Sequence, residues 1–195
     1  MSRVLVVRHG ESTWNAEGRW QGQADPPLSP EGVAQARAAA AALGPVGGIA
    51  TSDLSRASAT AAILGKKSGA PVREDRRWRE RRAGPWEGST RAQIEAAWPG
   101  YLGDGRRPPG FEGDDVVAVR ALDALAAAAA AGETLVVTHS GVLRALVAHL
   151  GGTVRGPLHN LSGWWFVGEG TRFSIGPAVS LVGEGVSAEG EKPVE

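Results

Sequence analysis

The 195-residue chain contains 21 Lys plus Arg and 21 Asp plus Glu, so its formal net charge is zero. This balance argues against a nucleic-acid surface and a polybasic membrane patch, and it favours a small molecule as the partner. The absence of cysteine excludes disulfides, zinc-thiolate sites and cysteine-nucleophile chemistry. The length predicts one globular domain.

The first apolar run, residues 4–7, is too short for a signal peptide and is followed at once by Arg8. No stretch reaches the roughly 18 apolar residues of a membrane span, because the longest alanine run, residues 126–131, stops at Gly132. We therefore expect a cytoplasmic protein without membrane contact.

Three apolar runs lack polar alternation, which is typical of strands covered by helices on both faces. They are residues 4–7, 48–50 and 135–137. Shorter strands are predicted at 164–167, 173–175 and 178–182. Residues 164–166, Trp-Trp-Phe, fit either a buried strand or the surface of a homodimer.

Helical patterns separate these runs. Ser29 as N-cap, followed by Pro30, predicts a helix that ends near Leu43. A second helix is predicted over residues 54–65 and the last one over 142–150. Between them, a helix is expected to begin at a cap formed by Asp114 or Asp115, to end at Gly132, and to bury Val116, Val119, Leu122 and Leu125.

Strands that alternate with helices predict an α/β fold, a single three-layer domain with a mainly parallel central sheet flanked by helices. We assign residues 1–183 to this domain and 184–195 to a flexible tail. Residues 99–113 are rich in glycine and proline, which predicts a loop and makes this segment a candidate lid.

Basic residues follow each of the three main predicted strands. Arg8 and His9 follow the first, Arg56 lies shortly after the second, and His139 follows the third. The carboxyl ends of parallel strands form the ligand crevice of such sheets. Two arginines and two histidines concentrated there in a chain of zero net charge predict a phosphate site that needs no metal.

Phosphate monoesters resist hydrolysis so strongly that enzymes supply accelerations of up to ~10²¹, so a nucleophile and an acid are both required. A neutral His9 imidazole is a competent nucleophile near pH 7, and a phosphohistidine divides one difficult displacement into two easier ones. Glu80, in the polar turn 78–84, is the best-placed carboxylate to protonate the leaving group, with Glu87 and Glu11 as alternatives.

These motifs resemble those of a known family. Residues 8–15, Arg-His-Gly-Glu-Ser-Thr-Trp-Asn, resemble the opening signature of the histidine phosphatase superfamily in its phosphoglycerate mutase-like branch. Further resemblances follow in order at residues 19–25, 28–32, 52–57, 80 with 84–88, and 138–144, so that the similarity spans about residues 3–167. Several motifs in the right order are far more specific than one tripeptide.

The resemblance implies roles for individual residues. His9 would be phosphorylated, Arg8, Arg56 and His139 would clamp the phosphoryl oxygens, and Glu80 would donate a proton. A further set would line the substrate phosphate pocket: Asn15, Gln21, Gly22 and Ser140.

Departures from the mutases of this superfamily favour hydrolysis. The stretch between the acid motif and the second histidine is short, Ala83 stands where the mutases carry tyrosine, and Ser140-Gly141 replaces their Gly-Asn. We therefore expect a metal-independent phosphatase, without cofactor, that acts on a small phosphorylated metabolite. The alternatives are a 2,3-bisphosphoglycerate-dependent phosphoglycerate mutase and, from another class, a catalytically idle phosphate-ligand binding protein.

Other charged residues have simpler interpretations. His149 and His159 lack metal-ligand spacing and are expected to be structural. The arginines of residues 76–82 are typical of a solvated face, although Arg81 or Arg82 could reach a second acidic group on the substrate. The identity of the phosphomonoester does not follow from the sequence.

Overall fold

One six-stranded sheet forms the centre of the protein, whose computed structural model describes residues 1–183. The strands are β1 (Ser2–Arg8), β2 (Ile49–Thr51), β3 (Val72–Glu74), β4 (Leu135–Thr138), β5 (Ser162–Glu169) and β6 (Arg172–Ser180). Their order is β3-β2-β4-β1-β5-β6. The first four pair in parallel, whereas β5 and β6 are added antiparallel. This confirms the predicted α/β fold with a mainly parallel sheet.

The α-helices of the described part are α1 (Thr13–Ala16), α2 (Pro30–Ala42), α3 (Ser55–Ser68), α4 (Arg91–Ala97), α5 (Tyr101–Asp104), α6 (Asp114–Ala130) and α7 (Ser140–His149). Two short 3-10 turns, Arg76–Trp78 and Gly84–Trp86, lie between β3 and α4. Within residues 1–183, none of the helices combines the length and apolarity needed to cross a bilayer.

Helices cover both faces of the sheet. Val4 and Val6 of β1 belong to a buried cluster with α6 and α7, whereas Leu5 and Val7 belong to another with α2 and α3. Because consecutive strand residues point to opposite faces, the unbroken apolar run of β1 reflects burial on both sides. The three-layer arrangement predicted from these runs is confirmed.

The two predicted helix starts differ in outcome. Ser29 caps α2 as expected, since its Oγ accepts the Gly32 N–H at 2.9 Å and Pro30 opens the helix. The N-cap of α6 is Gly113, so the prediction of Asp114 or Asp115 as the cap is wrong. Both aspartates lie in the first turn instead, where their negative charges interact favourably with the positive end of the helix dipole.

The buried face of α6 also differs from the predicted one. Leu125 is buried as expected, but Val116 and Val119 are 50% and 56% exposed. In an alanine-rich helix several faces have similar apolarity, and small side chains permit close packing, so the tertiary contacts select the face. The residues of α6 that are buried are Val117, Ala118, Ala121, Ala124, Leu125 and Ala128.

Several elements have no clear signal in the sequence. All three residues of β3 are exposed, so this strand has no apolar pattern, and α4 is likewise not indicated. The segment 99–113, predicted as a loop, contains α5, and the predicted strands 173–175 and 178–182 are one strand, β6. Residues 164–166 lie in β5 between β1 and β6, with Phe166 fully buried, as a buried strand requires. The predicted flexible tail, 184–195, lies outside the described residues.

Candidate active site

The carboxyl ends of neighbouring strands bring the predicted catalytic residues together. Arg8 ends β1 and is in register with Thr138, the last residue of β4. His9 and His139 therefore follow adjacent strands, and their rings meet edge to face with centroids 5.1 Å apart. Arg56 lies in the first turn of α3, directly after β2. The strand order thus accounts for the proximity of three distant chain segments.

A cavity of about 460 Å³ opens at this edge of the sheet. His139 is fully buried and packs against the His9 ring instead of lining the cavity wall. The wall contains the other eight residues that the sequence nominated: Arg8, His9, Asn15, Gln21, Gly22, Arg56, Glu80 and Ser140.

The His9 ring is held in one tautomer. Its Nδ1 lies 2.6 Å from the Gly10 carbonyl oxygen, and because a carbonyl only accepts, Nδ1 carries the proton and Nε2 keeps its lone pair. The His9 N–H donates to the Thr138 oxygen at 2.9 Å, and Asn160 Nδ2 donates to the His9 oxygen at 2.8 Å. The backbone and ring are thereby fixed with Nε2 available as a nucleophile.

Both site histidines are neutral at pH 7. Burial is the main cause that lowers the pKa of His9 well below its ordinary value of 6.5, and the charges of Arg56 and Arg8 lower it further. Burial also lowers the pKa of His139 well below that value, followed by the effects of Arg56 and His9. His9 therefore needs to lose no proton before it attacks an electrophile.

Arg8, which is partly buried, and Arg56, which is fully buried, place two cations beside His9. Arg8 Nη1 donates to the Leu158 oxygen at 2.5 Å, while Arg56 donates to the Ala24 and Gly22 oxygens at 2.8 and 2.9 Å. Within residues 1–183, neither Nε has a hydrogen-bond partner. Burial lowers the pKa of both, that of Arg56 to about 10, so both remain charged at neutral pH. Buried charges of this kind favour an anionic ligand.

Glu80 reaches the same cavity from the turn that follows Trp78. Its Oε1 accepts the Arg81 N–H at 2.8 Å, and its Oε2 accepts the Gly141 N–H at 3.0 Å. A Cβ atom at position 141 would overlap the Glu80 carboxylate. The glycine that follows Ser140 at the start of α7 is therefore what allows the carboxylate to approach the helix.

The two alternative acids lie outside the cavity wall. Glu87 Oε1 accepts the N–H groups of Gln23 and Ala83, both at 3.0 Å, and so ties two loops together. Glu11 Oε1 accepts the Ser29 hydroxyl at 2.7 Å. Among the carboxylates nominated from the sequence, Glu80 is the one that can reach a ligand in the cavity.

Sequence reasoning missed much of the outer part of the wall. Trp20, Trp86 and Phe111 pack edge to face, with ring centroids 5.0 to 6.2 Å apart. The Arg107 guanidinium lies over Trp86 and Phe111 at 5.6 and 5.4 Å. The only signal for Arg107 and Phe111 was their position in segment 99–113. The wall residues that the predicted set did not include are Gly18, Arg19, Trp20, Arg81, Ala83, Arg107, Phe111, Asp114, Gly141 and Arg144.

Arg81 and Arg82, both considered for a second acidic group, separate in the structure. Arg81 lines the cavity and pairs with Asp114 at 2.5 Å, whereas Arg82 is exposed and outside the wall. Asp114 thus balances the charge of Arg81, the cavity arginine that directly follows Glu80 in the sequence. In the described part of the chain, no group of three or more His, Cys, Asp or Glu could hold a metal ion.

Comparison with known proteins identifies the family. The profile of the histidine phosphatase superfamily, branch 1, matches residues 4–163. A structure of a mycobacterial glucosyl-3-phosphoglycerate phosphatase in complex with VO3 superposes with a TM-score of 0.78 at 33% identity, covering 90% of this chain and 97% of that one.

Curated relatives include phosphatases and a mutase. A glucosyl-3-phosphoglycerate phosphatase of Mycolicibacterium vanbaalenii is 39% identical over 76% of this chain and 73% of that one. A metal-independent phosphoserine phosphatase of Arabidopsis thaliana is 40% identical over 75% and 67%. A 2,3-bisphosphoglycerate-dependent phosphoglycerate mutase of Methylobacterium radiotolerans is 35% identical over 83% and 85%. With the strand-end histidines and arginines in place, the chain belongs to the histidine phosphatase superfamily, branch 1, and is a phosphoric monoester hydrolase.

Proposed function

We propose that the protein hydrolyses a small phosphomonoester without a metal ion, through a phosphohistidine at His9 and with Glu80 as general acid. One observation carries the proposal: a neutral imidazole with an unprotonated Nε2 shares a cavity with Glu80, the partly buried Arg8 and the buried Arg56. Arg8 and Arg56 supply the positive charge that a phosphoryl group requires. This charge removes the need for a metal to neutralise the phosphate.

The chemistry divides into two displacements. His9 Nε2 bonds to phosphorus while the bond from phosphorus to the alcohol oxygen breaks, and Glu80 gives its proton to that oxygen. Water then bonds to phosphorus as the P–N bond breaks, and its proton returns to Glu80. His139 packs against the His9 ring, and its ring nitrogens have no partner within residues 1–183, so it can donate to an oxygen of the phosphoryl group once that group is bonded to His9. Phosphate leaves and both side chains recover their first state.

The outer end of the cavity supports a substrate with a second acidic group. Arg107 lies on the cavity wall and pairs with no carboxylate among residues 1–183. Two relatives are named for glucosyl-3-phosphoglycerate and phosphoserine, and both of these compounds carry a carboxylate near the phosphate. We therefore infer that the substrate of this protein combines a phosphate with a neighbouring acidic group.

A metabolite-wide screen for phosphate release, run in the presence of a chelator, tests this function. Wild type is expected to turn over, His9→Ala to be inactive, and His159→Ala, which changes an exposed loop histidine, to match wild type. An alkaline quench followed by mass spectrometry should find the phosphoryl group on His9.

Four outcomes would contradict the proposal. Activity of His9→Ala would exclude the covalent intermediate, and loss of activity with chelator would exclude the metal-free mechanism. Phosphoryl transfer that depends on 2,3-bisphosphoglycerate and exceeds hydrolysis would establish the mutase alternative instead. Phosphate binding without turnover of any metabolite would establish the idle binding protein.

A further inference from the structure

The segment that carries Glu80 has little regular structure of its own. Beyond the 3-10 turn Arg76–Trp78 it belongs to neither a helix nor a strand as far as residue 83. One side chain from α6 donates hydrogen bonds to several of its backbone carbonyls. Arg120 Nη1 donates to the Arg77 and Arg79 oxygens, both at 2.6 Å, and Nη2 lies 3.3 Å from the Glu80 oxygen. A single guanidinium thus holds the backbone that leads up to the candidate acid, as well as the carbonyl of the acid itself.

Glu112 holds this guanidinium in place. Its carboxylate accepts Arg120 Nε and Nη2, both at 3.1 Å, and also the Arg82 N–H at 3.1 Å. The Glu112 N–H donates in turn to the Arg82 oxygen at 2.9 Å. The Glu112 side chain is only 4% exposed. Burial acts to raise the pKa of Glu112, but the hydrogen bond and charge of Arg120 lower it overall, so the pair is ionised.

Neither member of this pair touches the cavity. The wall of the cavity includes Glu80 and Arg81 but neither Glu112 nor Arg120. The Glu80 carboxylate is oriented from its other side by the Arg81 and Gly141 N–H groups. An effect of the pair on the acid step therefore has to be transmitted through the segment that carries Glu80.

We propose that Arg120, with Glu112 as its charge partner, is a positioning residue for the Glu80 acid. The inference rests on the proposed function, in which Glu80 protonates the leaving oxygen. An ion pair that joins three carbonyls and one N–H group of an irregular segment restricts its backbone far more than solvent contacts would. Because Glu112 follows Phe111 directly, the same pair connects the acid to the loop that forms the outer cavity wall.

The leaving group of the substrate provides the test. p-Nitrophenolate leaves without protonation, whereas an alkoxide such as that from glycerol 2-phosphate needs the acid. Arg120→Met removes every donor but keeps an apolar stem. We expect kcat/KM for glycerol 2-phosphate to fall about 30-fold more than kcat/KM for p-nitrophenyl phosphate, since general acids contribute about 10² to 10⁴. Arg120→Lys, which keeps the charge but not the fork, should show an intermediate preference.

Two controls separate positioning from folding. In a Glu80→Gln background, adding Arg120→Met should change the ratio of the two substrates no further. Arg77→Met removes an arginine of the same segment that pairs with Asp75, and it should leave the ratio unchanged. If Arg120→Met does not fold, Glu112→Gln weakens the same pair and should shift the ratio about threefold in the same direction.

The outcomes that overturn the inference differ from those that overturn the function. Equal losses on both substrates in Arg120→Met, or a preferential loss that persists without Glu80, would exclude a positioning role. Failure of the proposed function would appear independently of Arg120, as no phosphohistidine in wild type or as full activity of His9→Ala.

Discussion

The two ends of the cavity are built from different kinds of structure. The inner end consists of Arg8, His9 and Arg56, with His139 packed behind the His9 ring, and all four lie at or shortly after the carboxyl ends of β1, β2 and β4. Its two histidines and Arg56 are at most 2% exposed, and hydrogen bonds to backbone atoms hold His9 and both arginines. The position of the His9 imidazole is thus fixed by the sheet itself.

The outer end consists of Trp20, Arg81, Arg107 and Phe111. Trp20 and Phe111 pack on a small apolar cluster around Ala83, Trp86 and Ile94, which is separate from the two clusters that cover the sheet. Changes there need not disturb the sheet, so this end can adapt to different substrates while the chemistry stays the same. Substitutions at the inner end should therefore affect every substrate, and those at the outer end only some.

The largest effect is expected at the inner end, from Arg56→Lys. The substitution keeps a positive charge but loses the fork that binds the Gly22 and Ala24 oxygens. We expect kcat/KM to fall about 10³-fold for all phosphate esters, as for the loss of a main transition-state donor. Arg37→Lys, an exposed change on α2, should have no effect. A loss confined to one substrate would contradict the division between the two ends.

Gly141→Ala tests the contact between α7 and the acid. Its Cβ would overlap the Glu80 carboxylate and lie 2.7 Å from Arg81 Nε. Displacement of the acid should lower kcat for alkyl phosphates about 10²-fold and affect p-nitrophenyl phosphate much less. Steady-state kinetics with both esters measures the difference. Equal rates for Gly141→Ala and wild type would mean that Glu80 works from another position.

The buried histidines of the inner end should make folding sensitive to acid. Burial lowers the pKa of His9 and His139 in the folded state, so below pH 6.5 the unfolded chain binds protons that the folded chain does not. The free energy of unfolding is at its full value above that pH and should fall by about 1.4 kcal/mol per pH unit for each histidine.

Urea unfolding between pH 5 and 7.5 measures this slope. Wild type should lose up to about 2.7 kcal/mol per pH unit below pH 6.5, and His139→Gln should show about half that slope. A stability that does not change between pH 5 and 6.5 would contradict neutral, buried imidazoles at the inner end.

The smallest effect is expected at the outer end, from Arg107→Ala. For phosphate esters with a second acidic group, KM should rise about tenfold, since a hydrogen bond to a charged group contributes about 1.5 kcal/mol. For p-nitrophenyl phosphate, kcat/KM should stay within about twofold. Arg106→Ala is the matched control, because Arg106 pairs with Asp104 and lies outside the wall. Equal changes for both classes of ester would mean that Arg107 supports the folded structure and does not recognise the second acidic group.

The sequence-based predictions were accurate for the strands that carry the inner end and less accurate for the elements far from it. The strands β1, β2 and β4 were recognisable because burial on both faces leaves an unbroken apolar pattern. The residues after them could be assigned to one edge because parallel strands place their carboxyl ends together. The exposed edge strand β3 left no such pattern, and the alanine-rich α6 left its buried face undecided.

The sequence by itself determined the α/β fold, the family and the residues of the inner end, since these depend on local apolar runs and on the residues that directly follow them. Only the tertiary structure decided that Glu80, and neither Glu87 nor Glu11, reaches the cavity, and that Arg107 and Phe111 form its outer wall. It also decided that Arg120 holds the segment of the acid. These contacts join irregular segments far apart in the chain. Such segments have no periodic apolar pattern, so the sequence does not indicate which loop packs against which.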